Sequence, residues 1–163
     1  MARVGGLPRE EDAVSGASTA SFFNETHPPV FANNRRRRFG IMAAILLIDD
    51  NRVVRETLQT LVSEQHQCHT ADRAEQAMEL LEFQNYDLVI TDISMPGLGG
   101  LEVLRHIKRR HAIPVIVISG RPDLYEDAAV RTGAFAFFSK PFRIEELETA
   151  VSGALATRVA KHQ

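Results

Sequence analysis

The stretch AILLIDD, residues 44–50, consists of five apolar residues followed directly by two aspartates. Its apolar part shows no alternation with polar residues, which is typical of a strand that is buried on both faces of a parallel sheet. Residues 52–64 follow with apolar side chains at helical spacing. A buried strand that leads into an amphipathic helix indicates the start of a βαβ unit, so this stretch predicts a sheet covered by helices.

The alternation of strand and helix continues along the rest of the chain. Further strands are predicted at residues 67–71, 88–91, 114–118 and 134–138, and further helices at 74–83, 101–111, 124–131 and 145–156. We therefore predict an α/β fold in which five parallel strands form one sheet and right-handed crossovers place five helices on its two faces. In such a sheet, ligands bind beyond the carboxyl ends of the strands.

Composition and charge narrow the class of protein. Cys68 is the single cysteine of the 163-residue chain, so no internal disulfide is possible and a reducing cytoplasm is the expected compartment. No apolar run approaches the roughly 20 residues that span a bilayer, and residues 1–16 lack the apolar core of a secretory signal. The net charge is +2 for residues 1–41 and −4 for residues 42–163. The acidic main body argues against a nucleic-acid-binding domain there.

The N-terminal part of the chain differs from the rest. Residues 1–43 are rich in Ala, Gly, Ser, Asn and Pro and are predicted to be a disordered extension. The run Arg35–Arg38 is either a phosphate-binding or targeting patch or a solvated charge run. Met42 stands directly before the first strand, and we predict that it is the natural start. The folded domain is expected to span residues 44–158, with a short tail at 159–163.

Polar side chains follow four of the five predicted strands. Asp49 and Asp50 follow the first, Asp92 the third, Ser119 the fourth and Lys140 the fifth. Because the carboxyl ends of parallel strands meet at one edge, we expect these side chains to converge. Three carboxylates repel one another unless a cation lies between them, and oxygen ligands favour Mg²⁺. A lysine and a hydroxyl beside an aspartate nucleophile are the parts that phosphoryl transfer requires.

Four segments of the chain resemble the receiver domain of two-component response regulators. They are LLIDDN (46–51), LVITDISMPGLGG (88–100), PVIVISG (114–120) and FFSKPF (137–142). The resemblance spans residues 44–156 and implies a flavodoxin-like sheet of strand order 2-1-3-4-5. It also implies a single-domain, chemotaxis-regulator-like response regulator of a phosphorelay, which is a phospho-acceptor and not a turnover enzyme.

The resemblance implies roles for the acidic residues. Asp92 would accept a phosphoryl group from a histidine kinase or a histidine phosphotransfer protein. Asp49, Asp50, Asp92 and the backbone carbonyl of Ser94 would hold Mg²⁺, with Asp50 a direct ligand and Asp49 acting largely through water. Gly99 stands where the family often has an aspartate that caps the third helix, a change that weakens the cap by only a few tenths of a kcal/mol.

The resemblance also implies a switch. Lys140, whose bond to Pro141 would be cis, and Ser119 would contact the phosphoryl oxygens, and Phe137 would turn inward. These movements would alter the surface of the fourth helix, fifth strand and fifth helix, residues 122–156, where a downstream protein would bind. No DNA-binding domain and no membrane segment are expected.

Each assignment has a structural alternative. The run Asp49–Asn51 alone is typical of a helix N-cap cluster. Asp92 could be a turn residue, and Ser119 could belong to a strand-to-helix turn. Lys140 could be a solvated surface lysine, and Phe137 could be plain core.

Three other functions compete with phospho-acceptance. A haloacid-dehalogenase-like phosphatase also uses an aspartate after a parallel strand, but it needs a second acid two residues later, where Asn51 follows Asp49. A nucleic-acid adaptor would use Arg35–Arg38. A receiver that binds partners without phosphorylation is the third, and the complete set of acids argues against it.

Overall fold

The structure, a computed structural model, describes residues 42–160, so the predicted extension before Met42 and the run Arg35–Arg38 lie outside the described residues. Five strands and five helices alternate along this range. The strands are β1 Ala44–Ile48, β2 Gln67–Ala71, β3 Leu88–Asp92, β4 Val115–Ser119 and β5 Ala136–Ser139. The helices are α1 Arg52–Ser63, α2 Ala74–Phe83, α3 Gly100–Arg110, α4 Pro122–Thr132 and α5 Ile144–Ala160.

The strands form one five-stranded sheet in the order β2-β1-β3-β4-β5, and all neighbouring strands are parallel. The predicted α/β fold and its strand order are therefore confirmed. Every residue of β1, β3 and β4 is buried. The edge strands β2 and β5 are partly exposed. Burial on both faces explains why the three central strands are apolar almost throughout.

Helices on each face of the sheet build a separate hydrophobic cluster. Leu46, Val89 and Val117 face the cluster that α2, α3 and α4 cover. Ile45, Leu47, Leu88 and Ile116 face the cluster that α1 and α5 cover. Because successive side chains of a strand point to opposite faces, the central strands feed both clusters and their carboxyl ends stay at one edge.

Three elements differ from the prediction by two residues or more at one end, and the other ends agree to within one residue. The helix α4 begins at Pro122, a residue type that suits the first turn because it needs no backbone donor there. The strand β5 starts at Ala136, and the amide of Ala134 bonds to the carbonyl of Ala129 in α4 and not to the sheet. The helix α5 continues to Ala160, beyond both the predicted end at 156 and the domain boundary at 158. Arg158 supports this last turn through Asp87, 3.2 Å away, and the carbonyl of Ala112.

No helix within residues 42–160 has both the length and the apolar character needed to cross a membrane.

Candidate functional site

The carboxyl ends of four strands bring the predicted site residues to one edge of the sheet. Asp49 follows β1, Asp92 ends β3, Ser119 ends β4 and Lys140 follows β5. Asp49, Asp92 and Ser119 are buried, although all three are polar. Buried polar groups need partners, so the hydrogen bonds of these side chains determine what the site can do.

The Lys140 ammonium group lies between two carboxylates. Its Nζ donates to Asp92 Oδ2 at 2.6 Å and to Asp49 Oδ2 at 2.9 Å. Burial acts against the charge of Lys140, but the hydrogen bonds and charges of Asp49 and Asp92 outweigh it and raise the pKa of Lys140. The Lys140–Pro141 peptide bond is cis, as the resemblance implied. Lys140 is therefore an ion-pair partner within the site and not a solvated surface lysine.

Asp49 is the most buried of the three acids, with a relative exposure of 1%. Burial raises the pKa of its carboxyl group, while the hydrogen bonds from Lys140 and the backbone amide of Asn51 act in the opposite direction. The guanidinium group of Arg55, on α1, donates to the backbone carbonyl of Asp49 at 2.6 Å. The strand end is thus fixed from two sides, and sequence reasoning did not single out Arg55.

Substitution of Lys140 by methionine should leave Asp49 and Asp92 without their shared cation. We expect Lys140→Met to lower the free energy of unfolding by about 2 kcal/mol at about pH 7, less than a fully buried pair would lose because Lys140 is partly exposed. The deficit should narrow as the pH falls through the raised pKa of Asp49, since a protonated carboxyl needs no cation. Urea denaturation of both proteins in a chelating buffer, in steps from about pH 7 down to about pH 4, measures this difference. A deficit that stays the same over this whole range would contradict it.

The structural alternative, in which the run Asp49–Asn51 is a helix N-cap cluster, holds for Asn51 and not for the two aspartates. Asn51 Oδ1 accepts from the amides of Val53 and Val54 and caps α1. Asp49 instead accepts from Lys140 and from the amide of Asn51, and Asp50 is exposed. At the start of α3, Gly99 caps without any side-chain bond, as its residue type requires.

Both carboxylate oxygens of Asp92 are held. Oδ1 accepts from the backbone amide of Ser94 at 2.7 Å, and Oδ2 accepts from Lys140. The hydroxyl of Thr91 donates to the Asp92 carbonyl at 2.9 Å. Gly100, the first residue of α3, packs so closely that a Cβ atom there would overlap the same carbonyl oxygen. The backbone of Asp92 is therefore fixed as firmly as its side chain, and sequence reasoning missed Gly100.

Ser119 is fully buried at the end of β4. Its Oγ accepts from the backbone amide of Arg121 at 2.9 Å and lies 3.2 Å from the Oγ of Ser94. Phe137, in β5, is partly buried and packs against the hydrophobic cluster under α2, α3 and α4. This packing is what the core alternative predicts for Phe137, and a role as a switch stays a prediction.

The three aspartates form a group that fits a hard divalent cation. One carboxylate oxygen from each of Asp49, Asp50 and Asp92 lies within 4.8 Å of the others. Two of the three are buried and one is exposed, which gives an ion access from solvent. The donor set consists of oxygen atoms alone, and this chemistry suits Mg²⁺, which keeps several of its waters, better than it suits Zn²⁺.

A family profile matches the part of the chain that contains this fold and the strand-end site. The profile of the response regulator receiver domain matches residues 45–152. The chain belongs to the response regulator receiver domain family. The matched range begins at the second residue of β1 and ends within α5, so it contains the other four strands and the complete strand-end site.

Known receivers resemble this one in sequence and in structure. The DNA-binding transcriptional regulator NtrC of Escherichia coli is 35% identical over 117 residues, which cover 69% of this chain and 24% of NtrC. The chain thus spans about a quarter of the length of this relative. The signal receiver domain of an HD domain-containing protein from Pseudomonas fluorescens superimposes with a TM-score of 0.70 at 31% identity, covering 74% of this chain and 92% of that one.

A third relative was solved with ligands. The response regulator TrrA of Thermotoga maritima, in complex with Mg²⁺-BeF, superimposes with a TM-score of 0.64 at 34% identity. The match covers 70% of this chain and 100% of TrrA. The similarity therefore extends over the full length of TrrA.

Proposed function

We propose that this receiver accepts a phosphoryl group on Asp92 from a phosphohistidine of a histidine kinase or histidine phosphotransfer protein. The observation that carries the proposal is the Asp92 carboxylate itself. It is buried, it is held by Lys140 on one oxygen and by the Ser94 amide on the other, and two further carboxylates lie beside it. An oriented carboxylate beside a fixed cation is suited to nucleophilic attack on phosphorus.

In the transfer step, an Asp92 carboxylate oxygen attacks the phosphorus of the phosphohistidine in line. The new P–O bond forms while the P–N bond breaks, and the electron pair of that bond stays with the imidazole nitrogen of the donor. Lys140 exchanges part of its ion pair with Asp92 for the phosphoryl oxygens. Asp49, Asp50, Asp92 and the carbonyl of Ser94 would hold Mg²⁺, which supplies further neutralisation of charge when bound.

Phosphorylation would act on a partner surface. The phosphoryl group adds about −1.5 to −2 charge at the strand ends. Ser119 and Lys140 then turn toward the new oxygens and Phe137 turns inward, which biases the α4-β5-α5 surface. This surface exposes large apolar side chains that a protein partner can cover, namely Leu124, Val130, Phe135 and Ile144.

In this proposal the domain is a phospho-acceptor in a two-component system and not a turnover enzyme. Asn51 stands where the phosphatase alternative needs an acid, and its side chain is engaged in capping α1. That the receiver works in the cytoplasm, without an attached output domain and from Met42 onward, stays a prediction. The intact mass of the natural protein purified from its source tests the last two points.

Labelling of the purified chain tests the proposed function. With a small-molecule phosphodonor and Mg²⁺, we expect one phosphoryl group per chain, stable in acid and released by hydroxylamine, as an acyl phosphate is. Reduction with borohydride followed by peptide mass spectrometry should place it at Asp92. A label on another residue would overturn the proposal. Release of phosphate from many small phosphoesters over repeated turnovers would favour the phosphatase.

A further inference from the structure

Ser94 connects two groups of the site that come from different strands. Its backbone amide donates to Asp92 Oδ1 at 2.7 Å, and its hydroxyl oxygen lies 3.2 Å from the hydroxyl oxygen of Ser119. Ser94 follows β3, whereas Ser119 ends β4. One residue therefore contacts both the proposed phosphoryl acceptor and the hydroxyl that is proposed to move toward the phosphoryl group.

The Ser119 hydroxyl has two hydrogen-bond partners among residues 42–160, the Arg121 amide and the Ser94 hydroxyl, and either hydroxyl group of the serine pair can be the donor. The Ser119 oxygen already accepts from the amide of Arg121 at 2.9 Å. A serine hydroxyl has one proton to donate. Among the hydrogen bonds of residues 42–160, the Ser119 hydroxyl makes none to Asp92, and the Ser94 oxygen is its hydroxyl partner. The resting Ser119 is thus held between Arg121 and Ser94.

Separating the two hydroxyl groups costs more free energy at Ser119 than at Ser94. Ser119 is fully buried, so its hydroxyl loses a partner that water cannot replace. Ser94 is exposed, and water can take the place of Ser119 at its hydroxyl. The hydrogen bond between the two hydroxyl groups therefore restrains Ser119 more strongly than it restrains Ser94.

We infer that the Ser94 hydroxyl is a positioning group, here called the latch. It keeps the Ser119 hydroxyl in its resting place until a phosphoryl oxygen takes the place of the Ser94 oxygen as its hydrogen-bond partner. The exchange moves one hydrogen bond of Ser119 from Ser94 to the phosphoryl group, and no covalent bond changes. The inference rests on the proposed function of Asp92. In this inference the hydroxyl of Ser94 opposes the activated state, whereas the amide of Ser94 orients the carboxylate of Asp92.

The substitution Ser94→Ala separates these two contributions, because it removes the hydroxyl and keeps the backbone amide. Beryllofluoride with Mg²⁺ is the probe, as a stand-in for the phosphoryl group on Asp92. We expect Ser94→Ala to bind beryllofluoride about fivefold more tightly than the wild type, the factor that corresponds to one hydrogen bond of about 1 kcal/mol. Ser94→Thr restores a hydroxyl and should bind within about twofold of the wild type.

A double-mutant cycle with Ser119→Ala tests the latch itself. If Ser94 acts through Ser119, Ser94→Ala should leave the affinity for beryllofluoride unchanged when Ser119 is already alanine. Isothermal titration of the full-length chain measures the four dissociation constants. An equal change in both backgrounds, no change in either, or weaker binding by Ser94→Ala would overturn the inference.

A second measurement needs no probe. The Arg121 amide depends on a Ser119 oxygen that stays in place, so its hydrogen exchange should become faster in Ser94→Ala and not in Ser94→Thr. An unchanged exchange rate in Ser94→Ala would overturn the latch. A wild type that binds no beryllofluoride would instead contradict the proposed function of Asp92, and the exchange rate of Arg121 would still decide the latch.

Discussion

The Asp92→Asn variant should take up at least about 100-fold less phosphoryl label than the wild type, because a neutral amide is not a nucleophile toward phosphorus. The side chain keeps its shape, and its oxygen can still accept one hydrogen bond from Lys140 or from the amide of Ser94. The loss therefore reports the chemistry of the carboxylate more than a change of fold. Hydroxylamine-labile incorporation from a phosphodonor, with circular dichroism to verify folding, measures it.

A second acid at the same edge of the sheet provides the matched control. Asp72 directly follows β2, as Asp92 ends β3, but its side chain is half exposed and its nearest cation is Arg73 at 3.9 Å. Asp72→Asn should label like the wild type, since it removes a strand-end carboxylate that does not belong to the group around Lys140. Labelling of Asp92→Asn to full yield, or its loss in Asp72→Asn, would refute the assignment of the acceptor.

The sequence predicts those residues of the site whose position is determined by the fold alone. Asp49, Asp92, Ser119 and Lys140 each stand at the end of a strand, and a parallel sheet brings all such ends together whatever the loops do. The alternation of apolar strands and amphipathic helices was sufficient for the fold. The strand order followed from the resemblance and not from the pattern.

Other features depend on loop conformation and side-chain rotamers, and these carry little signal in one sequence. The Ser94 hydroxyl contacts Ser119 across 25 residues, and the loop after β3 places it there. The last turns of α5 depend on Arg158, which bonds to Asp87 across 71 residues. Helical periodicity describes one helix at a time, so it could not predict a turn that a distant carboxylate supports.

The position of Asp92 depends on one glycine that sequence reasoning passed over. We expect Gly100→Ala to lower the free energy of unfolding by about 3 kcal/mol, the upper end for overpacking, because the new methyl group meets backbone atoms. It would overlap the Asp92 carbonyl oxygen and lie 2.8 Å from both the Asp92 carbonyl carbon and the Ile93 Cα. Replacing glycine by alanine in a helix normally raises stability. A loss of stability in Gly100→Ala would therefore show that Gly100 closely approaches the Asp92 backbone. Urea denaturation measures it.

The phosphorylation of Gly100→Ala should fall together with its stability, because α3 can make room for the methyl group only by moving from the strand end that carries Asp92. The control is Gly120→Ala, at an exposed glycine where the added methyl group would have no atom within 4 Å beyond its chain neighbours. Its free energy of unfolding should stay within about 0.5 kcal/mol of the wild type. If Gly100→Ala matched Gly120→Ala in stability and labelled fully, α3 would not be pressed against Asp92. The acceptor would then owe its position to Lys140 and the amide of Ser94 alone.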